Sequence, residues 1–486
     1  MNLSHHAVPE DLFLAMASGG GGAVAARWLS RAQHSKHVLL VRGVVDAALL
    51  AGHEDAAGAR RAYDLLAAVQ RHDPAAVSTV LRHPSVGAWA LTTLRTLHRT
   101  PHPEPTSPGA SVRRDAAAGA TVPGAVVPGV SGSGAAADGV TMPEVFGPRH
   151  LAVVAAAAAL RSGADFAAEV PVVDGGVMLP SLGRADLAAA TGTAEVRSEG
   201  GRAEITAGGS AVRVPADRER DAPGWQGLRR LSATAGGRTV SVLVDDLDPH
   251  RMPGARLARG RLRDREAGAW QDTLGEAWRL LVTHHWTTAA EVAVITRVVT
   301  PLERAPGDQI SGSSRETFGC VAMSAPVDAR TLALTLAHEI QHAKLAALLD
   351  VVPLIHHDDG RRHYAPWRDD PRPVGGLLQG AYAYLGVTGF WRRQRRLEAG
   401  DAVIGANAEF SRWREAAENV AHLLLDGGCL TRRGERFVAR MAAVLGAWGT
   451  ESVPPAAAAR ARHDALDHLT RWHATNNRDL TPTLDQ

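Results

Sequence analysis

The sequence contains an H-E-x-x-H motif within the stretch Thr335-Leu336-Ala337-His338-Glu339-Ile340-Gln341-His342-Ala343. In a helix, two histidines four residues apart project from the same face, so both imidazoles can reach one metal ion. The glutamate lies about 100° around the helix from the first histidine, within reach of a water or substrate beside that ion. The motif therefore predicts that His338 and His342 are metal ligands and that Glu339 is catalytic.

The residues around the motif predict a long, buried helix over Ala329–Leu349. Apolar residues occur on both faces of this helix, and they include Leu332, Leu334, Leu336, Ile340, Ala343, Leu345, Ala347 and Leu349. A helix that is apolar on both faces is buried, and buried histidines need partners. A metal ion is one such partner, and a hydrogen-bonded pair of core histidines is the alternative.

The segments before this helix favour an α+β fold. Short β-type runs alternate with Gly and Asp turns between Val170 and Asp248, which is typical of antiparallel strands. A helix is predicted over Asp264–His285, with Asp264 as its N-cap. Val292–Val299 and Phe318–Met323 are predicted strands. Strands followed by an H-E-x-x-H helix predict a zincin-like catalytic domain with a small mixed or antiparallel sheet.

The chain is predicted to have three parts, because 486 residues exceed one ordinary domain. Residues 1–99 are predicted to form a helical N-terminal domain, in which Val77–Leu97 is one helix. Residues 100–148 are rich in Pro, Gly and Ala without apolar periodicity, which predicts a flexible linker. Residues 149–486 are predicted to form the catalytic domain.

Composition argues against several classes of protein. Hydrophobic residues make up 45% and charged residues 21%, which predicts a globular chain. A net charge of +2 without a basic stripe argues against a nucleic-acid partner. We find neither an apolar run of about 20 residues nor a signal peptide, so a cytoplasmic protein without a membrane partner is expected. With only two cysteines, a disulfide framework is not expected, and Cys320 is predicted to be a buried, inert thiol.

The sequence leaves the third metal ligand open. Gln379 lies among apolar residues on the next predicted helix, between Gly376 and Gly380. It is either a weak ligand or a buried hydrogen-bonding side chain. The residues after the metal helix that could bind instead, or could simply lie on the surface, are Asp350, His356, His357, Asp358, Asp359 and His363.

Arginines follow in the loop His363–Pro373. The guanidinium of Arg368 or Arg372 offers a rigid fork for the carboxylate of a substrate or cosubstrate. A structural Arg–Asp pair is the alternative for both residues.

Upstream of the metal helix, Ser313, Ser314 and Arg315 lead into the preceding strand. In a zincin-like layout that strand borders the cleft and can bind an extended peptide along the sheet edge. A simple polar turn before the strand is the alternative.

Together these segments resemble the HExxH-motif peptide-modification proteins, which are 2-oxoglutarate-dependent HExxH-type peptide β-hydroxylases. The resemblance covers most of the chain outside residues 100–148. It rests on Pro9-Glu10-Asp11 with the following Gly-rich stretch, Gln33 through His37, Ser313-Ser314-Arg315 with Phe318-Gly319, His338 through Leu345, Tyr364 through Arg368, Asp370 through Pro373, and Gly376 through Tyr384 with Phe390-Trp391.

The resemblance implies a bacterial tailoring enzyme for ribosomally made precursor peptides, often encoded beside a radical-SAM maturase. It implies Fe(II) as the metal, 2-oxoglutarate and O2 as cosubstrates, and a β-hydroxylated residue as the product. The residues that it implicates are His338, His342 and Gln379 as iron ligands, Arg368, Arg372 and Tyr364 at the 2-oxoglutarate, Ser313, Ser314 and Arg315 at the peptide, and Glu339 in orienting the substrate.

Two other functions remain open at this point. The first is a zinc metallopeptidase, in which Glu339 acts as general base on a Zn(II)-bound water. The second is a non-catalytic peptide-binding protein whose metal is structural.

Overall fold

The computed structural model describes residues 6–99, 147–187, 192–303, 309–356, 358 and 360–476. It confirms the predicted α+β class. Residues 100–146 of the predicted linker, and the candidate ligands His357 and Asp359, lie outside the described residues. Pro148, the last residue of the predicted linker, begins the short 3₁₀ helix Pro148–His150.

The N-terminal region is helical, as predicted. Its helices are α1 (Glu10–Ala17), α2 (Gly22–Leu50), α3 (Ala56–His72), α4 (Pro74–Leu81) and α5 (Pro84–Arg99). The prediction of one helix over Val77–Leu97 was wrong, because α4 ends at Leu81 and α5 begins at Pro84. Proline disfavours helical backbone in the residue before it, which explains the break.

After helix α6 (Leu151–Ser162), nine strands form antiparallel pairs, most of them between chain neighbours. One sheet has the order β1-β4-β5-β6 and a second the order β2-β3-β7. The strands are β1 (Phe166–Val172), β2 (Gly176–Leu179), β3 (Gly183–Asp186), β4 (Gly192–Glu199), β5 (Arg202–Ala207), β6 (Ser210–Val214), β7 (Trp225–Gly227), β8 (Arg229–Ala235) and β9 (Arg238–Val244). The antiparallel pattern predicted for this region is confirmed.

A mixed sheet positions the motif helix. Its order is β11-β12-β10-β9-β8, with β9, β10 and β12 parallel and both outer pairs antiparallel. The added strands are β10 (Val298–Pro301), β11 (Ser311–Gly312) and β12 (Cys320–Met323). Cys320 is 2% exposed, and burial raises the pKa of its thiol to about 12, in agreement with an inert side chain.

Two predictions about the segment before this sheet were wrong. The predicted strand Val292–Val299 begins inside helix α8 (Trp286–Ile295), and only its end belongs to β10. Helix α7 (Asp264–His284) has Arg263 rather than Asp264 as its N-cap. The Glu266 carboxylate accepts a hydrogen bond from the Arg263 backbone N–H, so this N–H group at the start of the helix has a partner.

The motif helix is α9 (Ala329–Leu349), with the predicted bounds. Every residue from Leu332 to Leu348 is buried. The Asp328 side chain caps the helix by accepting from the Thr331 N–H at 2.8 Å. The helices that follow are α10 (Val374–Gln394), α11 (Ala402–Asp426), α12 (Arg432–Trp448) and α13 (Pro455–Asn476). Within the described residues, no helix has both the length and the apolar character needed to cross a membrane.

Two large hydrophobic cores group the elements. One contains α1, the first half of α2, β8, β9, α7 to α10 and most of α11 and α12. The other contains the second half of α2, α3 to α6 and the strands β1 to β7. Helix α2 therefore contributes to both cores, and the first two sheets pack with N-terminal helices. The division at residues 99 and 149 stays a prediction about folding units.

Candidate metal centre

His338 and His342 face each other across one turn of α9. Nε2 of His342 lies 3.1 Å from Nε2 of His338, and the ring planes are 73° apart. Because metal–nitrogen bonds are about 2.0–2.1 Å long, one ion can bind both atoms with an angle of about 100° between the two bonds. The structure thus brings the two predicted ligands together in a geometry that fits one metal ion.

Both imidazoles are buried, with 1% of His338 and 7% of His342 exposed. Burial, followed by the positive charge on a protonated His342, holds the pKa of His338 well below its usual value. Neutral imidazole is the form that binds a metal. The site therefore favours metal binding over protonation at His338.

Gln379 contacts the far side of the His342 ring. Its Oε1 lies 3.2 Å from Nδ1 of His342, whereas the Nε2 atom of that ring faces His338. A histidine ligand commonly donates its other ring N–H to a carbonyl or carboxylate, which fixes the tautomer and the ring orientation. This contact supports a positioning role for Gln379 and does not support its predicted role as a ligand.

Aromatic side chains form a wall beside His338. The Tyr384 ring lies edge-on to His338 at a centroid distance of 5.4 Å, and Trp367 stacks on Tyr384 at 4.9 Å. Gly380 makes room for Trp367, because a Cβ atom at this position would lie 2.3 Å from the indole Nε1. Gly380 therefore allows the close approach of Trp367.

Glu339 is fully buried on the side of the mixed sheet. Ser311 on β11 donates a 2.7 Å hydrogen bond to its Oε1. Its Oε2 is buried and makes no hydrogen bond to the described residues. Burial raises the pKa of Glu339, although His342 and the hydroxyls of Ser311 and Ser313 oppose this shift.

None of the other candidate ligands that the structure describes forms a metal-binding cluster with the two histidines. Asp350 accepts from Lys36 at 2.7 Å and from Nε of Arg315 at 2.8 Å, so its charge is already paired. The side chains of His356 and Asp358 are exposed, and His363 pairs through its backbone with Arg372. In the part of the chain that the structure describes, no His, Cys, Asp or Glu completes a three-residue cluster with His338 and His342.

A cavity of about 550 Å³ opens beside His342. This volume is within the range of small-molecule sites, which is about 300–1,000 Å³. Helices α2, α5, α9 and α10 form its walls together with residues 313–316. Its polar lining includes Lys36, Ser313, Ser314, Arg315, Arg372 and Gln379, together with the carboxylates of Glu316, Asp350 and Asp358. The N-terminal helices therefore form one wall of the site.

The two candidate arginines share one carboxylate. Asp370 accepts from Arg368 Nε at 2.6 Å and from Arg372 at 2.9 Å. This is the Arg–Asp pairing that the sequence left open as an alternative. Of the two arginines, Arg372 is the one that lines the cavity.

Tyr364 lies elsewhere and is not a lining residue of this cavity. Its hydroxyl lies 2.8 Å from Nδ1 of His468 on α13, and its ring contacts Trp472. Burial raises its pKa to about 12. These contacts fit a packing role against α13 better than the predicted contact with a cofactor.

Ser313, Ser314 and Arg315 line the cavity, as a peptide-binding role requires. The strand at the edge of the sheet is not the predicted one, however. β12 lies between β10 and β11, so the two-residue strand β11 takes the edge position. An extended peptide would have to pair with β11.

One cluster of potential metal ligands was not predicted from the sequence. His83, Asp245 and Asp248 each offer a ligand atom within 4.8 Å of the others. The run Asp245-Asp246-Leu247-Asp248-Pro249-His250 was the available sequence signal. His83 is far away along the chain, so only the fold brings it to this run.

Comparison with known proteins adds no family assignment. The chain matches no protein-family model, and no curated protein matches its sequence.

Proposed function

We propose that this protein is an Fe(II)- and 2-oxoglutarate-dependent enzyme that β-hydroxylates a residue of a ribosomally made precursor peptide. One observation carries the proposal: the Nε2 atoms of His338 and His342 lie 3.1 Å apart without a third ligand from the described residues, and His342 lines a cavity. Such a centre leaves positions for a keto acid and O2. With these cosubstrates bound, iron would convert a Cβ–H bond to C–OH while 2-oxoglutarate becomes succinate and CO2.

The side chains around the centre have separate roles in this proposal. His338 and His342 hold the metal as neutral imidazoles. Gln379 Oε1 accepts a hydrogen bond from the Nδ1–H group of His342, which keeps the Nε2 lone pair directed at the metal. Arg372 presents its guanidinium to the distal carboxylate of 2-oxoglutarate, because it lines the cavity beside His342.

The precursor peptide would bind along Ser313–Arg315 and the edge strand β11. Ser311 on that strand also donates to Glu339. Glu339 would therefore act by fixing the edge strand beside the metal. The order of mixed sheet, motif helix and a second buried helix supports a zincin-like arrangement for this unit. A radical-SAM maturase of the same pathway is the expected partner enzyme.

The metallopeptidase alternative needs Glu339 as a general base on a zinc-bound water. Glu339 is fully buried and its Oε1 accepts a hydrogen bond from Ser311, which leaves only Oε2 for that role. The non-catalytic alternative needs a closed site, and a structural zinc ion has four protein ligands. Catalytic zinc has three protein ligands and structural zinc four, so two histidines without a third ligand among the described residues favour the hydroxylase over both.

The test is anaerobic reconstitution with Fe(II) or Zn(II), followed by addition of 2-oxoglutarate, O2 and the precursor peptide encoded beside the gene. We expect succinate in the Fe(II) sample and not in the Zn(II) sample. The amount of peptide that becomes heavier by one oxygen atom should equal the amount of succinate. Peptide cleavage with Zn(II) and without succinate would instead identify a peptidase. Metal binding without any turnover would favour the structural role.

Two variants make this experiment specific. His342→Ala should abolish succinate formation, because it removes a ligand. His356→Ala is the matched control, since this histidine is exposed and lies outside the cavity lining. Equal loss of activity in both variants would count against the assigned centre.

A further inference from the structure

A second group of buried side chains lies where the N-terminal helices meet the mixed sheet. His83 occupies the turn between α4 and α5, and Asp245 and Asp248 follow β9. Their exposed fractions are 3%, 0% and 1%. Nε2 of His83 lies 3.7 Å from Oδ2 of Asp245. Two ligand atoms of one zinc ion lie at most about 4.4 Å apart, so this pair is within reach of a single ion.

Each of the three side chains has one polar atom in a hydrogen bond and another without a hydrogen bond to the described residues. Nδ1 of His83 contacts the Ser85 hydroxyl at 2.8 Å. Oδ1 of Asp245 accepts from the Asp248 N–H at 2.9 Å, and Oδ1 of Asp248 accepts from the His250 N–H at 2.8 Å. The opposite atoms, His83 Nε2 and both Oδ2 atoms, are buried without a hydrogen-bond partner among the described residues. Three such atoms in one place indicate a missing ligand, because buried polar groups are normally satisfied.

The buried carboxylates at this site also favour a bound cation. Two carboxylates are buried together, with 0% of Asp245 and 1% of Asp248 exposed. Arg251 is the buried cation nearby, but its Nη1 donates to the backbone carbonyl of Asp248. Buried charges are costly unless they are paired or bind a metal.

We propose that His83, Asp245 and Asp248 bind a divalent transition-metal ion, Zn²⁺ or Mn²⁺, at a second site separate from His338 and His342. Imidazole together with carboxylates suits these ions, whereas Ca²⁺ and Mg²⁺ prefer oxygen ligands alone. Ser85 positions the His83 ring, as hydrogen-bonded partners of metal-binding histidines do.

The role follows from the location of the ligands. His83 precedes α5, whose Val86 and Trp89 belong to the core shared with the first two sheets. Asp245 follows Val244 of β9, which belongs to the core around the motif helix. The bound ion would therefore link an element of one hydrophobic core to an element of the other.

The test counts Zn²⁺ bound per chain by elemental analysis after Zn(II) loading and gel filtration. It compares the wild type, His338→Ala/His342→Ala, and Asp245→Asn/Asp248→Asn. We expect two, one and one equivalents, respectively. Chelation should lower the melting temperature of the histidine double variant, and Zn²⁺ should restore it. This proposal is independent of the hydroxylase, because the histidine double variant lacks the other centre.

Two results would overturn the proposal. The first is a histidine double variant that binds no Zn²⁺ and has the same melting temperature with and without chelator. The second is a bound equivalent that survives when the aspartate substitutions are added to that variant. If the aspartate variant does not fold, Ser85→Ala replaces it as the test variant, because it keeps all three ligands. Its Zn²⁺ affinity in the histidine-variant background should fall by about 10–100-fold, and an unchanged affinity would contradict the assignment.

Discussion

Lys344 and Glu291 form a buried ion pair behind the motif helix, with Nζ 2.8 Å from Oε1 and each side chain 1% exposed. Nζ also donates to the carbonyl oxygens of Gly19 at 3.1 Å and Gly20 at 2.8 Å. Lys344 is two residues after His342, about 200° around the helix. The pair therefore fixes the face of α9 opposite the metal ligand to α8 and to the N-terminal glycine turn.

Removing one member of this pair should be strongly destabilising. We expect Lys344→Met to lower the free energy of unfolding by about 3–5 kcal/mol, because it leaves a buried carboxylate without its counter-ion. Urea unfolding measures the loss. Lys344→Met/Glu291→Leu should recover part of it, since no buried charge then remains.

The matched control is Lys36→Met. Lys36 pairs with Asp350 in a more exposed position, with 23% of its side chain exposed, and Arg315 remains as a second partner of Asp350. We expect a loss of about 1 kcal/mol or less from this substitution. Equal losses from the two lysine variants would refute the special importance of the buried pair.

Local patterns predicted much of the fold, and tertiary contacts decided the rest. The bounds of α9 could be predicted because apolar periodicity and the Asp328 cap are local signals. The segment Val292–Ile295 has the β-branched residues of a strand, but it packs as the end of α8. Propensity is a weak prior that packing can override.

The candidate site was predictable to a similar extent. The spacing of His338 and His342 is local to one helix, so their meeting followed from the sequence. The contact of Gln379 with Nδ1 rather than Nε2 depends on how α10 crosses α9. The pairing of His83 with Asp245 joins residues far apart in the chain, and no local pattern reports it.

Gln379 offers a test that separates a metal ligand from a positioning residue. We expect Gln379→Ala to weaken metal binding by about 10–100-fold, because the His342 ring loses the acceptor for its Nδ1 proton. Gln379→Glu should retain binding, since a carboxylate oxygen accepts the same proton. Isothermal titration with Fe(II) under argon measures both affinities.

The control for this prediction is Gln394→Ala. Gln394 makes a similar contact, with Oε1 3.3 Å from Nε2 of His285, and His285 does not line the cavity beside His342. Metal affinity should not change in this variant. If Gln379→Ala abolishes binding as completely as His342→Ala does, Gln379 is a ligand after all.

Arg372 and Arg368 form a matched pair for the 2-oxoglutarate site. Both pair with Asp370, but only Arg372 is among the lining residues of the cavity. A charge-assisted bidentate contact contributes about 1.5–3 kcal/mol. We therefore expect Arg372→Ala to raise the KM for 2-oxoglutarate by about 10–100-fold, measured by succinate formation at saturating peptide. Arg368→Ala should change this KM much less, and the reverse order would show that Arg368 is the anchor.

Buried histidines should make the protein sensitive to mild acid. Burial lowers the pKa values of His37 and His285 to about 4, whereas an unfolded chain has values of about 6.5. Between these limits the unfolded state binds protons that the folded state does not. The free energy of unfolding therefore rises with pH across this window and falls as pH drops from about 6.5 to 4.

His285→Gln tests this pH dependence at a single position. The His285 ring stacks on Phe390 at 4.2 Å, so the substitution also costs packing energy. That cost is measured at pH 8, where the imidazole is neutral in both states. Relative to its own value at pH 8, the variant should lose less stability at pH 4.5 than the wild type does, because one fewer proton is taken up on unfolding. Urea unfolding at pH 8, 6.5, 5.5 and 4.5 gives both curves, and parallel curves would mean that His285 titrates alike in the folded and unfolded states.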